Sequence, residues 1–169
     1  MITPIIKNDT KVVFGPCRLS YVHVFEKYIA EGDTDGKYSV TILIPKGEKE
    51  TIKAIEKAIE AARKAAIASK WGGKEPRKLD VCLRDGDDKD DEAFHGHYYL
   101  NAKCNTRPGI VDKFGIAITD EEEIYSGVWA YASITFYGYQ VSGNSGIACG
   151  LNNLKKHKDD ERFGGRVSA

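Results

Sequence analysis

No apolar stretch in this sequence approaches the roughly 18 residues that a membrane-spanning helix requires, so a helical membrane protein is excluded and no membrane partner is expected. The beginning, MITPIIKNDTKVVF, lacks the basic end and long apolar core of a secretory signal, which points to the cytoplasm. Cysteine is sparse and scattered. Cys17, Cys82, Cys104 and Cys149 form no Cys-x-x-Cys pair and have no histidine at zinc-finger spacing, so reduced thiols are expected, with neither metal nor cofactor. Cys104 and Cys149 fall in strand-like patterns and read as small core residues. Net charge is missing as well: 25 Lys+Arg stand against 25 Asp+Glu, which excludes a uniformly basic coat. The two signs are nevertheless separated along the chain. Residues 46–78 hold ten basic and five acidic side chains, and residues 80–92 hold two basic and seven acidic. Any phosphate-binding groove is therefore local, with acidic loops elsewhere.

At 169 residues the chain suits one domain with a full core. Residues 18–26, RLSYVHVFE, and 37–44, KYSVTILI, read as strands separated by the polar turn EGDTDG, and Pro45 ends the second. Its Tyr38, Val40, Ile42 and Ile44 share a face. Residues 48–69 carry the one long helical pattern, with Ile52, Ile55, Ile59, Ala62 and Ala66 on one side and Lys53, Glu56, Lys57, Glu60 and Lys64 on the other. WGGKEP breaks that helix, and LDVCLR, residues 79–84, is a short strand. The acidic run DGDDKDDE, residues 85–92, fails as a calcium loop: Gly86 stands second where the sixth position is needed, and the twelfth residue is Gly96, not glutamate. It reads as a solvated loop. A run of adjacent acids also lacks the convergent geometry of a metal-dependent nuclease, and no enzyme is expected.

Further strands are expected at 97–104, HYYLNAKC, at 129–141, WAYASITFYGYQV, and at 147–154, the last following a GNSG turn. One helix among many strands favours a mainly β (α+β) fold: a small closed or partly open β-barrel with a single inserted amphipathic helix. Residues 1–155 form its domain, and residues 156–169 read as a mobile C-terminal segment. In residues 129–141 the alternation sets Ala130, Ala132, Ile134, Phe136 and Gly138 against Trp129, Tyr131, Ser133, Thr135, Tyr137 and Tyr139. The first set suits a tight barrel interior. The second offers rings and hydroxyls on which unpaired bases can stack. Tyr99, Asn101 and Lys103 share a strand face, with Arg107 close behind. The candidate DNA-binding residues are thus Trp129, Tyr131, Tyr137, Tyr139 and Tyr99 for stacking, Lys103, Arg107 and Lys37 for phosphate, and Arg18 as an outlying candidate. The competing reading makes the same aromatic face a subunit interface of a protein-interaction or assembly module, since Trp and Tyr are also enriched there. A homodimer stays open.

Several pieces taken in order, RLSY (18–21), KYS (37–39), GHYYLNA (96–102), IYSG (124–127), FYGY (136–139), GIACGLN (146–152) and GGR (164–166), resemble the OB-fold single-stranded DNA-binding proteins of tailed phages and prophages. The resemblance covers nearly the whole chain. It implies an OB-fold-like five-stranded antiparallel β-barrel with one long inserted helix, and a protein of the bacterial host cytoplasm that coats and protects single-stranded DNA in replication or recombination. Replication or recombination proteins are the further partners it implies. Relatives of this kind often carry an acidic C-terminal tail for such recruitment, whereas here Asp159, Asp160 and Glu161 form a short acidic patch ahead of Arg166.

Overall fold

The small face of residues 129–141 becomes the inside of a barrel. The computed structural model describes residues 1–29, 32 and 36–163. Its elements are β1 (Ile5–Asn8), β2 (Lys11–Tyr28), β3 (Lys37–Pro45), α1 (Lys49–Ser69), β4 (Asp80–Val81), β5 (Leu83–Asp85), β6 (His97–Cys104), β7 (Gly109–Val111), β8 (Trp129–Val141) and β9 (Asn144–Lys158). Ala130, Ala132, Ile134 and Phe136 are at most 1% exposed, so the expected interior face of β8 is the real one. They meet Val12, Phe14, Cys17 and Leu19 from β2, Val40, Ile42 and Ile44 from β3, and Leu100 and Ala102 from β6 in one core.

Five strands close the barrel in the order β2-β3-β6-β9-β8, with β8 returning to β2. Four seams are antiparallel. The closing seam is parallel, through Lys103 of β6 and Gly150 of β9, so the expected all-antiparallel barrel is corrected there. Parallel strands cannot be joined by a hairpin, and the chain between β6 and β9 accordingly makes a long excursion through β7 and β8. The short strands β4 and β7 also run parallel to β9.

Helix α1 begins one residue after the expected start and ends as expected at Ser69. Its buried Thr51, Ala54, Ile55, Ala58, Ala62 and Ala66 face the barrel, with Ile52 and Ile59 packed at the margin. Small residues permit close approach: a Cβ on Gly138 of β8 would sit 2.3 Å from Ala66 Cβ, an impossible contact. Just past the helix, Trp71 is buried and its Nε1 donates to the Tyr139 carbonyl at 3.1 Å, anchoring the breaker to β8.

Three further expectations change. LDVCLR splits into β4 and β5, one pairing with β9 and the other with β6. The turn before the last strand is tighter than GNSG: Val141 pairs with Asn144, leaving Ser142-Gly143, both at positive φ, as the two-residue connection that matches strand twist. The expected boundary between the domain and its C-terminal segment, after residue 155, falls inside a strand: β9 runs on to Lys158, Lys156 is 8% exposed, and the Phe163 amide donates to the Ser126 carbonyl at 3.1 Å. Lys156 is retained there by carboxylates of Glu123 at 3.2 Å and Asp159 at 2.8 Å. The remainder of that segment, residues 164–169 with the GGR piece, and most of the EGDTDG turn lie outside the described residues.

Candidate nucleic-acid interface

The outer face of β2, β3 and β6 carries a groove of about 680 Å³. Register builds it. His23 of β2 lies opposite Ser39 of β3, which lies opposite Lys103 of β6; Thr41 lies opposite Asn101; Tyr28 lies opposite Lys37. Inward-facing Val40 and Ile42 leave the alternate residues of β3 pointing out, so Lys37, Ser39 and Thr41 form its floor. Thr41 Oγ1 donates to Asn101 Oδ1 at 2.7 Å, fixing that amide in the floor.

Tyr21, His23 and Tyr28 line the side formed by β2. Tyr21 is 55% and Tyr28 53% exposed, so both rings present a face to solvent at the groove. The register of β2 shifts between Ser20 and His23, and Tyr21 at φ 47 sits in that irregularity. A bulge re-aims a side chain, and here it turns a ring to solvent. The His23 and Tyr28 rings are stacked 4.6 Å apart.

The opposite side is built by the acidic run. Asp85 and Asp87 clamp Lys46 Nζ at 2.7 and 2.6 Å. Asp85 Oδ1 accepts from the Asp87 amide, Asp87 Oδ1 from the Gly96 amide and Asp91 Oδ1 from the Ala93 amide. The Lys46 ammonium holds the Asp85 and Asp87 carboxyls below the usual carboxylate range, with backbone N–H donors adding to it. Asp87, Asp88, Asp90 and Glu92 are exposed, Asp85, Lys89 and Asp91 half-buried and Gly86 buried; two 3-10 turns order the run and deliver Lys89 and Phe94 to the groove. Lys89 Nζ lies 5.3 Å from the Phe94 ring centre. Among the described residues no group of three or more His, Cys, Asp or Glu side chains is placed to hold a metal ion. Cys17 and Cys149 are buried, and burial raises the Cys17 thiol far above its ordinary range.

Of the candidates from sequence, Lys37 and Lys103 line this groove. Tyr99 is corrected: at 7% exposure it belongs to a second small core with Leu43 and Phe94, its ring edge-on to Phe94 at 5.1 Å. The run after β5 folds over that face and covers it. Arg107 is exposed with its guanidinium 5.3 Å from the Phe25 ring, outside the groove lining. Arg18 turns to the chain itself: Nε donates to the Gly127 carbonyl at 3.0 Å and Nη2 to the Glu161 carbonyl at 2.5 Å. Its guanidinium lies between the rings of Trp129 and Phe163, at 5.9 and 4.2 Å. Trp129 Nε1 donates to Asp160 Oδ2 at 2.7 Å and holds that carboxyl below its usual range.

The β8 aromatic face is therefore not one platform. Trp129 is engaged by the C-terminal residues, Tyr131 stands edge-on to His157 at 5.5 Å beside an apolar recess, Tyr139 is half-buried, and Tyr137 is 42% exposed. None of the four lines the groove. Asn101, grouped with Lys103 on one strand face from sequence, does line it, and the residues missed from sequence are Tyr21, His23, Tyr28, Ser39, Thr41, Lys89 and Phe94. Lys37, Ser39 and Thr41 were recoverable as the polar alternates of an apolar strand. Tyr21 and His23 were not, because the inward parity of β2 changes at each irregularity.

A family model described as Enterobacter phage Enc34, ssDNA-binding protein matches residues 10–169. The chain belongs to this family. A family-level relative in sequence, "Putative protein p50" of Acyrthosiphon pisum secondary endosymbiont phage 1, is 31% identical over 94% of this chain and 90% of its own. The single-stranded DNA-binding protein from bacteriophage Enc34 in complex with ssDNA superposes with a TM-score of 0.84 at 27% identity, covering 96% of this chain and 94% of that one. The gp2.5 single-stranded DNA-binding protein of bacteriophage T7, at 16% identity and a TM-score of 0.66 over 94% of this chain and 97% of that one, shares the fold. The Enc34 family thus fits the expected phage OB-fold resemblance, barrel included.

Proposed function

We propose that this protein binds single-stranded DNA in the groove of β2, β3 and β6, without strong sequence preference. It coats and protects exposed strands during phage replication or recombination in the bacterial host cytoplasm. The observation that carries this is the joint placement of exposed Tyr21 and Tyr28 with Lys37, Lys89 and Lys103 around one groove of an Enc34-family barrel. Rings stack on any base, at about 1 to 3 kcal/mol per base, while ammonium groups neutralise phosphates and release counterions. Neither interaction reads sequence strongly, and neither makes or breaks a bond. A duplex hides its base faces, so the rings gain nothing from it.

The test is a titration of fluorescently labelled oligonucleotides of equal length, single-stranded and duplex. The single strand is expected to bind more tightly, with little difference among mixed sequences. Equal affinity for duplex and single strand overturns the proposal.

A further inference from the structure

The groove does not stop at β6. Its lining residue Lys103 pairs with Gly150 across the seam that closes the barrel, and beyond Gly150 lies β8 with Tyr137. Gly150 contributes no side chain to that crossing. A Cβ placed on it would meet Tyr137 Cε1 at 3.6 Å, the Thr135 carbonyl oxygen at 3.7 Å and the Lys103 carbonyl oxygen at 3.8 Å, so half-buried Gly150 lies in van der Waals reach of both the ring and the groove-lining strand. Tyr137 is the exposed ring of β8, whereas Trp129, Tyr131 and Tyr139 are half-buried. Lys70, at the end of α1, stands beside it with Nζ 5.7 Å from the ring centre and donating to the Gly138 carbonyl at 2.8 Å. On the other flank Asn152 Nδ2 donates to Thr135 Oγ1 at 2.9 Å, giving an uncharged polar border. A ring open to solvent, an ammonium held at its side and a glycine between the ring and the groove-lining strand are the parts of a single-strand stacking station.

We propose that single-stranded DNA leaving the groove crosses the β6–β9 seam over Gly150 and stacks a further base on Tyr137, with Lys70 meeting the adjacent phosphate. This rests on the groove being the DNA site. Lys103 belongs to the groove lining and pairs with Gly150 at the seam, so the station would serve the same strand and not a separate ligand. Its signature is length: a short oligonucleotide fills the groove alone, and a longer one reaches Tyr137.

The experiment measures affinity for oligothymidylates spanning the roughly 4 to 16 nucleotides that OB-folds occupy, using wild type, Tyr137→Ala, Tyr137→Phe, Lys70→Gln and Tyr21→Ala. Thermal midpoints confirm that each variant is folded. Tyr137→Ala should match wild type on the shortest oligonucleotide and lose about 5- to 150-fold on the longest. Tyr137→Phe should keep the long-oligonucleotide affinity, and Lys70→Gln should lower the salt dependence for long oligonucleotides only. Tyr21→Ala should weaken every length. If Tyr137→Ala equals wild type at all lengths while Tyr21→Ala is weakened, the path over the seam is overturned and the groove stands. If Tyr137→Ala is weakened equally at all lengths, the order of groove first and ring second is overturned. If Tyr21→Ala binds every length like wild type, the groove reading falls and this inference with it.

Discussion

Tyr21, Tyr99 and Phe136 are three rings in one small barrel with different surroundings. Tyr21 is turned outward at a backbone irregularity, Tyr99 is sealed under Phe94 and Leu43, and Phe136 is 1% exposed in the main core. Alanine at Tyr21 is expected to weaken single-strand binding by about 1 to 3 kcal/mol with a nearly unchanged thermal midpoint. Alanine at Phe136 or Tyr99 is expected to cost about 3 to 5 kcal/mol of folding stability, the range for truncating a buried ring. Measuring DNA affinity and thermal midpoint on all three separates the roles. A Tyr99→Ala protein of wild-type stability and weakened binding would return that ring to the DNA surface. Alternation alone placed Tyr99 on the outward face, which is its true direction. What period two could not show is the acidic run, which begins fourteen residues upstream, bringing Phe94 back over it.

At the scale of an element, that acidic run is a built wall and not a slack loop. Lys46, at the end of β3, is gripped by Asp85 and Asp87, whose carboxyls it holds below the usual range. Their folded-state pKa values lie below the unfolded one, about 3.9. The stability they contribute is therefore fully present above that value and is lost as pH falls through the depressed folded values. Thermal midpoints taken from pH 6 downward should hold steady and then decline below about pH 4, and Lys46→Met should remove part of that decline. A midpoint that falls equally in wild type and Lys46→Met would deny the clamp any role. Strand β2 shows the limit of pattern reading at the same scale. Val12 and Phe14 face inward on even positions, Cys17 and Leu19 on odd ones, and Val24 on an even one again. Each change coincides with a register shift, against β8 between Phe14 and Cys17 and against β3 between Ser20 and His23. A reading with constant parity assigns Tyr21 the same face as buried Leu19. Strands β3 and β8 keep a single inward parity, and their interior faces were legible without the structure.

In the whole molecule, charge is balanced but not mixed. Lys37, Lys89 and Lys103 gather around the groove, Asp85 and Asp87 are occupied by Lys46, and Glu123 and Asp159 are occupied by Lys156. Zero net charge thus coexists with a groove bordered by cations. The barrel class and the inserted helix were readable from one long amphipathic segment set among alternating strands. The closing parallel seam was not, since it depends on two strands far apart in sequence and leaves no local periodic mark. The same topology explains why the longest aromatic strand was an attractive but incomplete guide: β8 is flanked by β2 and β9, its Trp129 end beside β2 is engaged by Asp160 and Arg18, and Tyr137 is its exposed ring. The most direct test of the central claim, that the groove of β2, β3 and β6 meets the phosphates of a single strand, is the slope of log affinity against log salt for single-stranded DNA. Wild type is compared with the double variant Lys37→Ala, Lys103→Ala and with Lys158→Ala, whose ammonium lies beside Trp129. The double variant should lose roughly 0.7 of slope per lysine removed and Lys158→Ala should keep the wild-type slope. An unchanged slope in the double variant, with a reduced one in Lys158→Ala, would contradict the groove and move the DNA to the Trp129 side of the barrel.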